Sequence, residues 1–153
     1  MTDRSDSLPL PAIKELRALL SLFQRKFPQS LFSVLVMDGV LNGTIAEYTF
    51  WLANRARVSS IEAVGGENFD ILLGIDLRDG MAALQVGYGL EHYLTERDLE
   101  RALAQGSSAF HGGDIAGGIR ACVEFTMERL REAAKEVEDH GMPKSGKPII
   151  AAP

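Results

Sequence analysis

The sequence predicts an α/β fold: a three-layer α/β/α sandwich on a small mixed sheet, with elements in the order α-β-α-β-β-α-α. Three observations lead there. Short apolar runs rich in strand formers are interleaved with segments whose apolar residues recur every three or four positions. A helical segment lies between the first two such runs, which implies a parallel βαβ unit with a right-handed crossover. Amphipathic helices that each need an apolar surface then cover the sheet in layers.

Residues 1–11 are polar and proline-bearing, and read as a flexible arm. A helix is predicted from Ala12 to Lys26, with Ile13, Leu16, Leu20, Phe23 and Phe27 on one face and Pro28 ending it. Leu31 to Met37 reads as a buried strand, and Asp38-Gly39 with Asn42-Gly43 as the turn after it. Thr44-Ile-Ala-Glu47 matches a capping box, so a second helix runs from there to about Ala56. Gly65-Gly66-Glu67-Asn68 marks the next turn, and Asp70 to Asp76 encloses a second buried strand. Leu77-Arg-Asp-Gly80 is a hairpin signal, because Asp-Gly accepts the positive φ of a tight turn. Met81 to Val86 returns antiparallel, and Gly87-Tyr-Gly89 breaks it. Thr95 caps a helix to about Ala104, with Leu94 and Leu99 at staple positions. Asp114 caps the last helix, whose stripe is Ile119, Cys122 or Val123, Met127 and Leu130. From Arg131 to His140 that helix is almost wholly polar and is expected to project into solvent. The division is an arm over 1–11, one domain over 12–140 and a flexible tail over 141–153.

Composition excludes several classes. The chain has 153 residues, 46% hydrophobic and 24% charged, which suits one globular domain. Net charge is −5 with no Lys/Arg cluster, so nucleic acid is not an expected partner. One cysteine, Cys122, rules out an intramolecular disulfide and a multi-cysteine zinc site. No stretch reaches the roughly 18 apolar residues of a membrane span, and no signal peptide is visible. The chain as written is expected to stay in the cytoplasm, as a monomer or homodimer.

The chemistry-bearing residues sort by edge. The start of the second strand (Glu67, Asn68) and the end of the third (Gly87, Tyr88, Gly89, Glu91) fall at one edge, with Asp38 and Asp76 at the other. Asp114 is expected to join the first group. Oxygen donors from separate loops suit Ca²⁺ or Mg²⁺; a solvated acidic surface is the plainer alternative. Gly87-Tyr-Gly89 lacks the third glycine of a dinucleotide loop, and its strand is antiparallel. Cys122 lies on an apolar stripe and reads as a small core residue. His111 is a candidate base or ligand without a motif around it.

Glu67-Asn-Phe-Asp-Ile-Leu-Leu-Gly-Ile-Asp76, the hairpin, Val86-Gly-Tyr-Gly-Leu-Glu91, Leu94-Thr-Glu, Phe110 and Gly113-Asp-Ile-Ala-Gly-Gly-Ile119 together resemble the TPM domain. That family is named after thylakoid-lumen, photosystem II-repair and nematode receptor-modulator proteins. The resemblance covers about residues 12 to 130. It implies an α/β/α fold, a divalent-metal (Ca²⁺) acidic cleft and, in plant members, weak acid phosphatase activity. Its relatives are often exported or membrane-anchored. Carried over, Glu67 and Asn68 match an Asp-Asn pair, Gly87, Gly89 and Glu91 match the Gly-x-Gly-Leu-Glu signature, and Asp114 matches a late Asp. The expected metal ligands are therefore Glu67, Asn68, Glu91 and Asp114, with Gly87 and Gly89 as cofactor-binding positions. The family's early Val-x-Asp segment has no visible counterpart in residues 1–11, the first Asp of its Asp-Asn-Gly is Glu67 here, and the glycine is Phe69.

Three functions follow as alternatives. The first is a non-catalytic module that binds an unidentified protein partner, with or without a metal-responsive cleft. The second is a metal-assisted phosphomonoester hydrolase. The third is an interaction protein using the polar helix end.

Overall fold

The computed structural model describes residues 1–55 and 68–140. The Gly65–Glu67 part of the predicted turn, Glu67 itself and the predicted tail lie outside the described residues. The elements are β1 (Thr2–Asp3), α1 (Leu10–Lys26), β2 (Phe32–Met37), α2 (Ile45–Arg55), β3 (Ile71–Asp76), β4 (Met81–Val86), a 3₁₀ turn at Tyr88–Leu90, α3 (Glu96–His111) and α4 (Ile115–His140). They form a four-stranded sheet in the order β1-β2-β3-β4. The first three strands run parallel and β4 is antiparallel. The predicted α/β/α layering is what the chain adopts.

The two faces of the sheet can be read from register, because residues alternate sides along a strand. Val34, Leu73 and Leu84 are neighbours across β2, β3 and β4, and so are Leu35, Gly74 and Ala83. The first set belongs to the main core with Phe23 of α1, Ala102 of α3 and Ile119 of α4. Phe23 meets Phe32 edge-on at 5.3 Å between ring centres. The second set lies under α2. A Cβ on Gly74 would overlap the Thr49 methyl and sit 3.1 Å from Ile45 Cγ1, so glycine here lets α2 rest close on the sheet.

This layering carries a topological consequence. β1, β2 and β3 are successive neighbours, so both crossovers step the same way across the sheet. Their helices lie on opposite faces: α1 against the Val34 side, α2 against the Leu35 side. The hand of a crossover reverses when its helix changes face. One of the two is therefore left-handed, and the right-handed rule applied to the sequence holds for only one of them.

Three expectations are corrected. Residues 1–11 are no loose arm. Thr2 and Asp3 pair with Leu35 and Val36, and Arg4 N–H donates to the Val36 carbonyl at 2.8 Å. The Asp3 carboxylate accepts from the backbone N–H of Ser5 (2.9 Å) and Leu8 (3.0 Å), and Leu8 is buried. Two residues of strand are too few to show an alternating pattern; backbone pairing holds them. Second, α3 continues past Ala104 to His111. Gly106 does not stop it, because its missing side chain is used for contact: a Cβ there would lie 2.7 Å from the Gly118 carbonyl oxygen of α4. Third, the end of α4 does not stand away from the body. Ala133 and Ala134 are buried and Val137 packs against the core.

The predicted caps form. Thr44 N–H donates to the Glu47 carboxylate at 2.9 Å, and Glu47 N–H donates to the Thr44 hydroxyl at 3.2 Å. At α3, Thr95 and Asp98 make the same reciprocal pair. Asp98 is 6% exposed and also accepts from Arg129 Nε of α4 at 3.1 Å, which ties the two helices together. Burial alone would raise the Asp98 pKa, but the hydrogen bonds from Thr95 and the Arg129 guanidinium hold it below the ordinary carboxylate range. Asp3 is likewise lowered, its bonds from Ser5 and Leu8 outweighing burial.

Two predictions follow from the packing. Gly74→Ala should lower unfolding free energy by about 1–3 kcal/mol in urea melts, by forcing α2 off the sheet. A carboxylate with a depressed folded pKa stabilises the fold above its unfolded pKa, about 3.9 for Asp. That contribution is lost as pH falls through the folded value. Stability should therefore drop below about pH 4. Asp98→Asn should cost about 2 kcal/mol at neutral pH and make the acid drop shallower.

Candidate functional site

At the amino edge of the parallel strands, Asn68 precedes β3 and organises the loop that follows β4. Its side-chain oxygen accepts from Asp70 N–H at 2.8 Å. Its backbone oxygen accepts from Gly89 N–H at 2.9 Å, and Asp70's carbonyl accepts from Gly87 N–H at 2.7 Å. A Cβ on Gly87 would overlap the Asn68 carbonyl, and one on Gly89 would lie 2.8 Å from the Phe69 ring. The Gly-x-Gly signature therefore serves close packing. Both glycine amides are spent on the chain's own carbonyls, which takes these two donors away from any phosphate. Leu90 is buried beneath the turn, while Tyr88 (77% exposed) and Glu91 face outward.

Asp114 is separated from this group by α3. It follows α3, whose 16 residues span about 24 Å, whereas Glu91 precedes that helix. The turns at both ends are tight: Leu94 N–H donates to the Leu90 carbonyl, and Asp114 N–H to the Ala109 carbonyl, each at 2.9 Å. Arg120, one turn into α4, pairs with Glu15 near the start of α1 at 2.9 Å. Since α1 begins just beyond β1, Asp114 lies at the carboxyl edge, with Asp3, Asp38 and Asp76. There it caps α4, accepting from Gly117 N–H at 2.8 Å. Periodicity places helices but not the end of the sheet to which a long helix delivers its cap, so the sequence alone does not decide whether Asp114 joins Glu91.

The carboxyl edge is organised by a residue that the sequence placed at the end of the second predicted strand and gave no role. Asp76 is 1% exposed. Its carboxylate accepts four backbone N–H groups: Gly39 (2.9 Å), Val40 (3.1 Å), Arg78 (3.0 Å) and Asp79 (3.4 Å). Arg78 Nη2 donates to the Asp38 carbonyl at 2.7 Å, and its Nε lies 4.0 Å from the Asp38 carboxylate. The signal available in sequence was an acid closing a wholly apolar strand, a place where burial demands donors.

Of the remaining candidates, Cys122 is inert and His111 spends one ring nitrogen locally. Burial pushes the Cys122 thiol up to about 11, so it stays protonated and a poor nucleophile. His111 Nδ1 lies 2.7 Å from the Ser107 carbonyl oxygen and 3.3 Å from the Ser107 hydroxyl. Nδ1 must carry its hydrogen to satisfy the shorter contact, and so cannot take the Ser107 proton. Among the described residues, no group of three or more His, Cys, Asp or Glu is placed to hold a metal ion. Asn68 and Glu91 share the amino edge without Asp114, and Glu67 lies outside the described residues.

A model of the TPM domain matches residues 1–129. The chain belongs to the TPM-domain family. The match starts at residue 1, so the segment carrying β1 and Asp3 is part of the domain. Three solved structures share the TPM fold seen here. The N-terminal domain of a protein from P. gingivalis superposes with a TM-score of 0.71 at 22% identity, covering 86% of this chain and 81% of that one. BA42 from the psychrophilic bacterium Bizionia argentinensis gives 0.72 at 9% identity, covering 87% and 88%. The N-terminal domain of cg2496 from Corynebacterium glutamicum gives 0.63 at 14%, covering 95% and 83%. No curated protein matches the chain. Among the described residues of this TPM domain, no helix is long and apolar enough to cross a membrane.

Proposed function

We propose that this TPM domain is a non-catalytic binding module that takes its ligand at the carboxyl edge of the sheet. One observation carries the reading: the connections leaving β1 and β2 depart to opposite faces, α1 to one and α2 to the other. Where adjacent parallel strands send their connections to opposite faces, a crevice opens beyond their carboxyl ends, and α/β proteins bind ligands there. Asp38 and Asp114 are both exposed on that edge. Their carboxylates are hard oxygen donors, the kind Ca²⁺ or Mg²⁺ takes. Asn68 and Glu91, the described members of the sequence-derived set, are the competing location, at the opposite edge.

Titration of the ¹⁵N-labelled protein with Ca²⁺ and with Mg²⁺ tests both. The reading predicts shifts at the Gly39, Val40, Asp114 and Gly117 amides. Asp38→Asn or Asp114→Asn should weaken binding by about tenfold or more, since affinity follows ligand charge. Shifts confined to Asn68, Gly89 and Glu91 would move the site to the amino edge. Hydrolysis of p-nitrophenyl phosphate that falls with Asp38→Asn would replace binding by catalysis.

A further inference from the structure

We propose that Asp76 and Arg78 lock the β2–α2 loop and the β3–β4 turn into one unit that opens and closes together. This concerns the free protein and goes beyond the binding reading. Two separate links join the segments. The buried Asp76 carboxylate is shared: Gly39 and Val40 of the loop donate to it, and so do Arg78 and Asp79 of the turn. A carboxyl group this deeply buried needs its donors, so the departure of either segment leaves it undersatisfied. The second link runs back from turn to loop through a side chain. Arg78 Nη2 donates to the Asp38 carbonyl, and the guanidinium lies over Gly39. Gly39 has φ +93°, and a Cβ there would overlap the guanidinium. The loop therefore needs glycine at that point for its backbone, and a side chain there would shift the arginine above it.

Both members of the pair reach the surface: Leu41 in the loop is 98% exposed, and Arg78, Asp79 and Gly80 of the turn are exposed as well. A group that draws Asp38 away from Arg78 therefore loosens the turn as well, and a change in the turn is felt by the loop. Such coupling is reciprocal when it is a free energy shared between two segments.

Amide hydrogen exchange on the free protein tests this without any ligand, so its result stands apart from that of the metal titration. Arg78→Ala leaves Asp76 intact. It should nevertheless speed exchange at Gly39 and Val40 by about tenfold or more, the loss of a charge-assisted hydrogen bond. Gly39→Ala displaces the guanidinium and should speed exchange at Arg78 or its successor Asp79 by a similar factor. Core amides such as Val34 and Leu73 should keep their rates, showing that the fold is intact. If each variant speeds only its own segment, the two are independent and the lock is refuted. Should Gly39→Ala fail to fold, the Arg78→Ala measurement decides alone.

Discussion

β3 is buried from end to end, with main core on one face and α2 on the other. That constraint dictates much of the rest. A strand covered on both sides reads as a continuous apolar run rather than an alternation. It can carry no side chain where α2 lies closest, hence Gly74. It can end in a carboxylate only if backbone donors converge on it. Asp76 meets that condition by drawing in the loop after β2 and the turn after β3. The burial that stabilises the sheet also fixes the shape of its carboxyl edge.

The topology then decides which acids are neighbours. Parallel strands put the ends of β1, β2 and β3 on one edge, and α3 carries the chain from the amino edge back to that same side. On the far side of that helix, Arg120 of α4 pairs with Glu15 of α1. The opposite hands of the two crossovers separate the connections that leave β1 and β2. An unusual hand therefore accompanies the divergence of these two connections. The conspicuous Gly-x-Gly turn plays a different part. Its amides and its lack of side chains hold it close to Asn68, Phe69 and Asp70, with Tyr88 and Glu91 facing outward.

Much of the fold was legible in the sequence because its signals are local. The apolar runs at 71–76 and 81–86, the Asp-Gly turn and the capping threonines each need only a few neighbouring residues to be read. β1 was not legible, since two residues show no period and their partner lies more than thirty positions away. The length of α3 was missed because Gly106 is a helix breaker by propensity and a helix contact in fact. The end of α4 was misjudged because small residues, Ala133 and Ala134, pack as core without looking apolar in pattern. The candidate site is the least legible part. Loop acids can be listed from sequence, but the edge each one reaches depends on helix lengths and on the face each crossover takes.

The central claim is that Asp114 and Glu91 lie at opposite edges, so that no single site uses both. Electron spin-label distances between cysteines at 91 and 114 test it directly, the buried Cys122 being out of reach of the label. The length of α3 predicts a separation of about 20 Å or more. A separation near 10 Å would contradict it and return Asp114 to the amino-edge group that the sequence suggested.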